Sequence, residues 1–212
     1  MTIIADNKDI LIERLVLGPY ETNCYIVVDK KTRDSLVVDA PANAPKIIEG
    51  LRDTNPGYIL LTHDHSDHTG ALAGLRARLK APLAAHVADS SSLQRPPEIS
   101  VKDEDILTSG NLRVKALYTP GHTPGSLCFK IGRYLFAGDT IFPGGPGKTW
   151  SPEDFKQIVA SITAKILTLP AGTVILPGHG DATTVEKSKE EYAVFASRRH
   201  PDDLCGDVLW LT

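Results

Sequence analysis

The sequence predicts a mixed α and β domain whose polar motifs gather at strand ends. Three observations carry this expectation. Short apolar runs of strand length alternate with stretches of helical periodicity along most of the 212 residues. Motifs rich in His, Asp and Gly follow directly on several of the apolar runs. The densest, Thr62-His63-Asp64-His65-Ser66-Asp67-His68-Thr69-Gly70, sets three histidines and one well-placed carboxylate within six residues.

Leu11 to Leu17 and Asn23 to Val28 read as β-strands joined by a Gly18-Pro19-Tyr20 turn. Ser35 to Val38 is a third apolar run and closes on Asp39. From Ala44 to Leu51 the period changes, and Ile47, Ile48 and Leu51 share one helical face. Tyr58 to Leu61 is a buried strand with the His-rich loop at its C-terminal end. Gly70 to Leu79 returns as a helix with Leu72, Leu75 and Leu79 in line. Leu83 to Ala85, Leu112 to Tyr118, Leu127 to Ile131 and Tyr134 to Phe136 are further strands, and the Ser- and Pro-rich stretch Ser90 to Pro97 is a loop. Ser151-Pro152-Glu153-Asp154 starts a helix: a capping serine, proline at the first helical position and acids in the first turn. Phe155, Ile158, Val159, Ile162, Ile166 and Leu169 mark one apolar stripe down it. Val174 to Leu176 is the last clear strand and leads to His179, and Val185 to Ala196 closes as a helix.

Composition narrows the function classes. A net charge of −3 gives no electrostatic case for nucleic acid or an anionic membrane. Met1 to Ile12 carries Asp6 and Asp9 and no basic-then-apolar signal pattern. No apolar run approaches the roughly 18 residues of a membrane helix. Cys24, Cys128 and Cys205 are odd in number and far apart, which fits a reduced, cytoplasmic setting. A monomer or homodimer acting on a small molecule is the expectation.

The ligand chemistry is specific. Beyond the His-rich loop lie Gly121-His122-Thr123-Pro124-Gly125, Gly138-Asp139-Thr140 and Pro177-Gly178-His179-Gly180. Imidazole and carboxylate suit zinc or another first-row metal. One catalytic zinc takes about three protein ligands and a water. His63, His65, Asp67, His68, His122, Asp139 and His179 are seven, too many for one ion and the right number for two that share a carboxylate. Two adjacent metals make a hydrolytic site, holding a hydroxide and polarising a substrate oxygen.

His-x-His-x-Asp-His, followed at a distance by a lone His, a Gly-Asp-Thr and a Gly-His, resembles the metallo-β-lactamase superfamily from about Leu11 to His179. Gly121-His122-Thr123-Pro124-Gly125-Ser126 and Gly138-Asp139-Thr140-Ile141-Phe142 are most similar to the glyoxalase II, or hydroxyacylglutathione hydrolase, branch in its short bacterial form. The resemblance implies an αββα sandwich, two mixed β-sheets flanked by helices, as a single domain over residues 1–212. It also assigns His63, His65 and His122 to a first metal, Asp67, His68 and His179 to a second, and Asp139 to both. Spacing alone does not give that partition. Two zinc ions are expected, with iron or manganese as alternatives. The implied reaction is thioester hydrolysis by a metal-bridged hydroxide, with Asp67 and Asp139 as the catalytic carboxylates that hold the metal pair and relay a proton. The family's basic residue nine positions after the bridging Asp meets the carboxylate of the thiol carrier; Lys148 stands there, with Trp150 beside it to cover the substrate's apolar part. This chain has Gly145-Pro146-Gly147 where the family more often has Gly-Cys-Gly. The long family members add a C-terminal helical domain that helps bind glutathione, and the 33 residues after His179 are too few for it. The acyl group and the thiol carrier are left open.

Rival readings use the same residues differently. A persulfide dioxygenase of this fold would place one iron on His63, His122 and Asp139. A β-lactamase would usually lack a carboxylate at the place of Asp139 and be exported. A lactonase or phosphodiesterase shares the fold. A non-enzymatic metal-binding module is disfavoured, since a closed zinc site needs only about four ligands. Gly144 to Thr149 holds Gly, Lys and Thr without the phosphate-loop spacing and reads as a flexible lip over the site. Asp64 either orients a histidine or is solvated, His86 is structural or at the surface, and His200 belongs to a solvated charge run.

Overall fold

Side-chain alternation along the central strands decides the layering. The computed structural model describes residues 1–212. Its first sheet runs, in spatial order, β1 (Thr2–Asp6), β2 (Ile10–Leu17), β3 (Thr22–Asp29), β4 (Asp34–Val38), β5 (Asn55–Leu60), β6 (Leu83–Ala85) and β7 (Ile99–Ser100). Neighbours are antiparallel as far as β4 and parallel beyond it. All eight residues of β3 are buried. Cys24, Ile26 and Val28 enter one apolar cluster and Tyr25 and Val27 another, because successive side chains face opposite ways. A strand buried on both faces needs a layer on each side.

The inner layer is a second sheet, in the order β15 (Thr183–Thr184), β14 (Val174–Pro177), β11 (Tyr134–Gly138), β10 (Leu127–Ile131), β9 (Leu112–Tyr118) and β8 (Ile106–Ser109). Leu127, Phe129 and Ile131 of β10 meet Tyr25, Val27, Leu36 and Leu60 of the first sheet. The outer layers are helical. α1 (Ala44–Gly50) and α3 (Leu72–Arg78), the latter preceded by the single turn α2 (Ser66–Thr69), bury Ile47, Leu72 and Leu75 on the first sheet. α4 (Pro152–Ser161) and α5 (Val185–Ala196) bury Phe155, Ile158, Val185 and Phe195 on the second. This is the αββα sandwich implied by the motifs. No helix is long and apolar enough to cross a membrane.

Some elements differ from the sequence reading. The strand β1 was not expected, nor were the short strands β7, β8 and β15; they are edge or near-edge strands set by pairing partners, not by an apolar alternation of their own. The helix expected from Gly70 begins at Leu72, since Ser66–Thr69 forms a separate turn. Ser151 caps α4 by accepting the amide of Asp154, as its sequence signature predicts. The stripe below it does not stay α-helical: Ile162–Ile166 widens to a π-turn, with Leu167 N–H donating to the carbonyl of Ile162 at 2.9 Å. Val87–Ser92 is a 3-10 turn that overlaps the expected loop. Residues 144–148 are no loose lip, since Gly145–Pro146 pairs with Ile141–Phe142 as strands β13 and β12 and is buried.

Asp29, at the far end of β3, ties the two sheets. Its carboxylate accepts the amides of Lys31 at 2.8 Å and Thr32 at 3.3 Å, and across the sandwich that of Asn111 at 2.7 Å. Burial alone would raise its pKa, but these donors outweigh it and bring it down to about 2. A carboxyl whose folded pKa lies below the unfolded value of about 3.9 stabilises the fold above that value and loses its effect as pH falls toward 2. Asp29→Ala is therefore expected to lower Tm by about 2–6 °C at neutral pH. Thermal melts should show the gap to wild type closing between pH 4 and 2; a gap that stays constant over that range refutes the assignment.

Candidate metal centre

Five strand ends converge at one edge. β4 and β5 are parallel, as are β11 and β14, while β9 and β11 are both antiparallel to β10. Their C-terminal ends deliver Asp39, His63, Gly121-His122, Asp139 and His179 to the same side. Two interlocks close the sheets on each other there. Asn23 N–H donates to the Gly178 carbonyl at 2.7 Å, and Leu127 N–H to the Thr62 carbonyl at 2.8 Å. α2 then turns Asp67 and His68 back over the edge.

The seven predicted ligands meet. His63, His65 and His122 present nitrogens within 4.8 Å of one another, and so do the ligand atoms of Asp67, His68 and His179. His122 Nε2 lies 3.0 Å from His65 Nδ1, and His68 Nε2 lies 3.3 Å from His179 Nε2. Asp139 stands between the groups: Oδ1 is 3.3 Å from His68 Nε2, and Oδ2 is 3.6 Å from His122 Nε2 and 3.5 Å from His179 Nε2. The close approach needs glycine at 178, where a Cβ would strike Asp139 Oδ1 and the His68 ring.

A second layer of contacts orients four of the five rings by their other nitrogen. His68 Nδ1 meets Asp39 Oδ2 at 2.8 Å, His122 Nδ1 the Lys148 carbonyl at 2.9 Å, and His179 Nδ1 the Tyr20 carbonyl at 3.0 Å. Thr62 Oγ1 lies 3.0 Å from His63 Nδ1 and donates to Asp39, while Thr22 Oγ1 donates to Asp67 Oδ2 at 3.2 Å. Such partners fix which nitrogen faces a metal and raise its basicity. Sequence reasoning gave none of them an orienting role. Asp39 alone left a signal, as the acid that ends an apolar run.

The electrostatics favour a cation. Burial pushes the His63 imidazole well below its ordinary pKa, so it is neutral with a lone pair free, and its buried Nε2 has no hydrogen-bond partner. Burial likewise lowers His122. It also opposes charge on His68, but Asp39 and Asp139 prevail and push that ring up to about 10. Asp139 is buried, yet His179 and His68 hold its carboxyl well below the usual range. A field that stabilises a proton on His68 also favours a divalent ion in its place. The orphaned His63 nitrogen, the buried Asp139 Oδ1 without a hydrogen bond and the all-nitrogen-and-oxygen donor set fit zinc, iron or manganese.

The remaining candidates sort by contact. Trp150 is 57% exposed and lies over the site, its ring centroid 5.5 Å from that of His65 and 5.3 Å from that of His122. Lys148 points its ammonium to Asp207 at 3.4 Å. Asp64 orients no histidine and accepts instead from Ser92. His86 stacks on Tyr118 at 4.3 Å, away from the ligands. His200 is not solvated as expected, because it stacks on Phe195 at 3.7 Å. A missed residue is Asp89 in the 3-10 turn, a buried carboxylate that accepts Thr123 Oγ1 at 2.7 Å and Gly125 N–H at 2.6 Å, bracing the loop that carries His122.

A fold of this kind with this ligand edge defines a class, and the profile of the metallo-β-lactamase superfamily matches residues 17–179. The chain belongs to that superfamily. It is 32% identical over 200 residues to a probable metallo-hydrolase, YqgX, of Bacillus subtilis, covering 84% of this chain and 94% of that one. It is 27% identical over 201 residues to the hydroxyacylglutathione hydrolase GloC of Haemophilus influenzae, with the same coverage. Among solved structures it is similar to ETHE1 from Myxococcus xanthus, with a TM-score of 0.79, 26% identity and coverage of 89% and 85%. The BLEG-1 B3 metallo-β-lactamase gives a TM-score of 0.76 and 29% identity, and TTHA1623 in a di-iron-bound form gives 0.71 and 28%; each match covers 84% of this chain and 96% of the other.

The Asp39–His68 contact generates a direct test. Asp39→Ala removes the partner of His68 Nδ1 and is expected to weaken metal affinity about 10- to 100-fold. Metal titration of the apo-protein measures it. Unchanged affinity in a folded variant refutes the orienting role.

Proposed function

We propose that this chain is a binuclear metallohydrolase that cleaves a thioester, taking a small-molecule acyl-thiol as substrate. The observation that carries the binuclear reading is the pair of ligand groups, His63–His65–His122 and Asp67–His68–His179, with Asp139 between them. The likeness to the hydroxyacylglutathione hydrolase of Haemophilus influenzae supports the thioester. Zinc is the metal proposed, and the di-iron form of TTHA1623 makes iron the second candidate. Three free cysteines, two of them buried, agree with a reducing, cytoplasmic setting.

His63, His65 and His122 would hold one metal, Asp67, His68 and His179 the other, and Asp139 would bridge them. When bound, the pair supplies an activated water near neutral pH and polarises a carbonyl oxygen. The chain's own residues do the rest. Asp39, Tyr20 and Lys148 keep three imidazoles aimed through their second nitrogens. Thr22 donates to Asp67 Oδ2, the oxygen that also faces His179 Nε2 at 3.2 Å, and so steadies the carboxylate that would take a proton from the attacking water and pass it to the leaving thiolate. Trp150 covers the mouth over His65 and His122, excludes water and packs on the substrate's apolar part. Lys148 offers a cation to a carboxylate on the thiol carrier. A one-iron dioxygenase on His63, His122 and Asp139 would leave His65, Asp67, His68 and His179 without a task.

Two outcomes are expected. Metal analysis after reconstitution should give two ions per chain, and chelation should lower Tm, since an ion bound only by the folded state stabilises it. One ion or fewer with excess metal present removes the binuclear site. In a substrate panel at matched concentrations, a thioester should turn over faster than a β-lactam, a lactone or a persulfide. Asp139→Ala should lose activity by about 100-fold or more, with the second metal, while His86→Ala stays near wild type. Penicillin turnover with inert thioesters, or oxygen uptake with a persulfide, reverses the assignment.

A further inference from the structure

The C-terminal segment lies on the hairpin that carries Lys148 and Trp150. Thr149 and Gly206 form an antiparallel bridge, with Thr149 N–H donating to Gly206 O at 3.2 Å and Gly206 N–H to Thr149 O at 3.0 Å. Four residues on, Trp210 N–H donates to Gly144 O at 2.8 Å, and its ring is fully buried against Tyr192 at 5.3 Å. Gly145 packs so closely beneath the tail that a Cβ there would come within 2.5 Å of the Val208 carbonyl. Asp207 is thus held on both sides by backbone, and the hairpin takes its position from the tail.

The register of that bridge places side chains. In an antiparallel ladder the residues flanking a bridged pair oppose each other. Lys148 therefore faces Asp207, and the ammonium and carboxylate stand 3.4 Å apart. Trp150, two residues along, shares the face of Lys148 and leans over His65 and His122. Side chains of Lys148 and Asp207 are 51% and 78% exposed, so each charge keeps contact area to offer a ligand. An exposed pair of this kind gains little from itself and is open to exchange.

We propose that Asp207 is a specificity-determining residue which, with Lys148, makes the mouth select a thiol carrier bearing both an amino group and a carboxylate, as at the end of an amino acid or peptide. This rests on the thioester reading above. A lone lysine would reward any anionic carrier. With Asp207 opposite, a purely anionic carrier meets a carboxylate beside the lysine and a purely cationic one meets an ammonium beside the aspartate. A zwitterion satisfies both charges at once.

The test uses full-length, zinc-loaded protein and three S-methylated cysteinyl peptides: one zwitterionic, one N-acetylated and anionic, one C-amidated and cationic. Calorimetry should show wild type binding the zwitterion about three- to tenfold tighter than either relative. Asp207→Asn should lose the preference over the anion, and Lys148→Gln the preference over the cation, with metal content unchanged in both. Equal affinities in wild type, no binding of any of the three, or an unaltered pattern in Asp207→Asn overturns the proposal. Acyl-thioesters of the same peptides separate the two readings. The binding pattern without hydrolysis upholds the role of Asp207 and refutes thioesterase activity, whereas hydrolysis without the pattern refutes only the role of Asp207.

Discussion

A single buried carboxylate sets the frame of the metal edge. Asp39 accepts the Thr62 amide at 2.8 Å, the Thr62 hydroxyl at 2.8 Å and meets His68 Nδ1 at 2.8 Å. Val38 pairs with Leu60 in parallel register, so β4 and β5 end side by side. Asp39 then takes a left-handed φ of 61°, a conformation that aspartate tolerates better than most residues. That turn brings its side chain back across the strand ends. The Asp39 amide donates to Leu60 and the Ala40 amide to the His68 carbonyl, so backbone and side chain secure the same junction. The histidine on the short α2 turn is thereby joined to the rigid sheet, which a four-residue helix could not achieve by itself.

Charge explains why so many polar groups tolerate one place. Asp39 and His68 are almost wholly buried, and Asp139 nearly so, where unpaired charges are costly. The histidines divide the burden: His63 is driven neutral by burial, while His68 and His179 are held above their ordinary pKa by carboxylates. Neutral imidazoles with inward lone pairs beside buried carboxylates form a set whose natural complement is a divalent cation. Binding such an ion would displace protons and add to fold stability through the same contacts.

Much of this was legible in the sequence, and the boundary has physical causes. Histidines 63, 65, 68, 122 and 179, which the fold gathers at one edge, stood out because imidazole is a metal-ligating type and recurs here just after apolar strands. The central strands were legible because β3 and β10 are buried on both faces and read as apolar runs. Groups that act through backbone carbonyls, such as Tyr20 and Lys148, leave no trace in residue type. Asp89 and Thr22 were hidden because their partners lie 34 and 45 residues away. The tail was hidden for a related reason: Trp210 has no periodic neighbours, and only the folded hairpin shows what its ring and amide are for.

The two parts of the site differ in how they are built, and that difference bears on function. The clustered His and Asp side chains sit on strand ends and the α2 turn, held where interlocks close the sheets on each other, a frame with little freedom to vary. The mouth is assembled from a two-residue-per-strand hairpin and a segment after the last helix, joined by one bridge and one tryptophan amide. Surface segments of this kind can change without disturbing the sheets. On the reading proposed above, reaction type would be written in the strand ends and α2, and the choice of carrier in the hairpin and tail. That is why motifs shared across a superfamily point to metal chemistry, while selection of a substrate must be sought in contacts such as Lys148 with Asp207, where no motif looks.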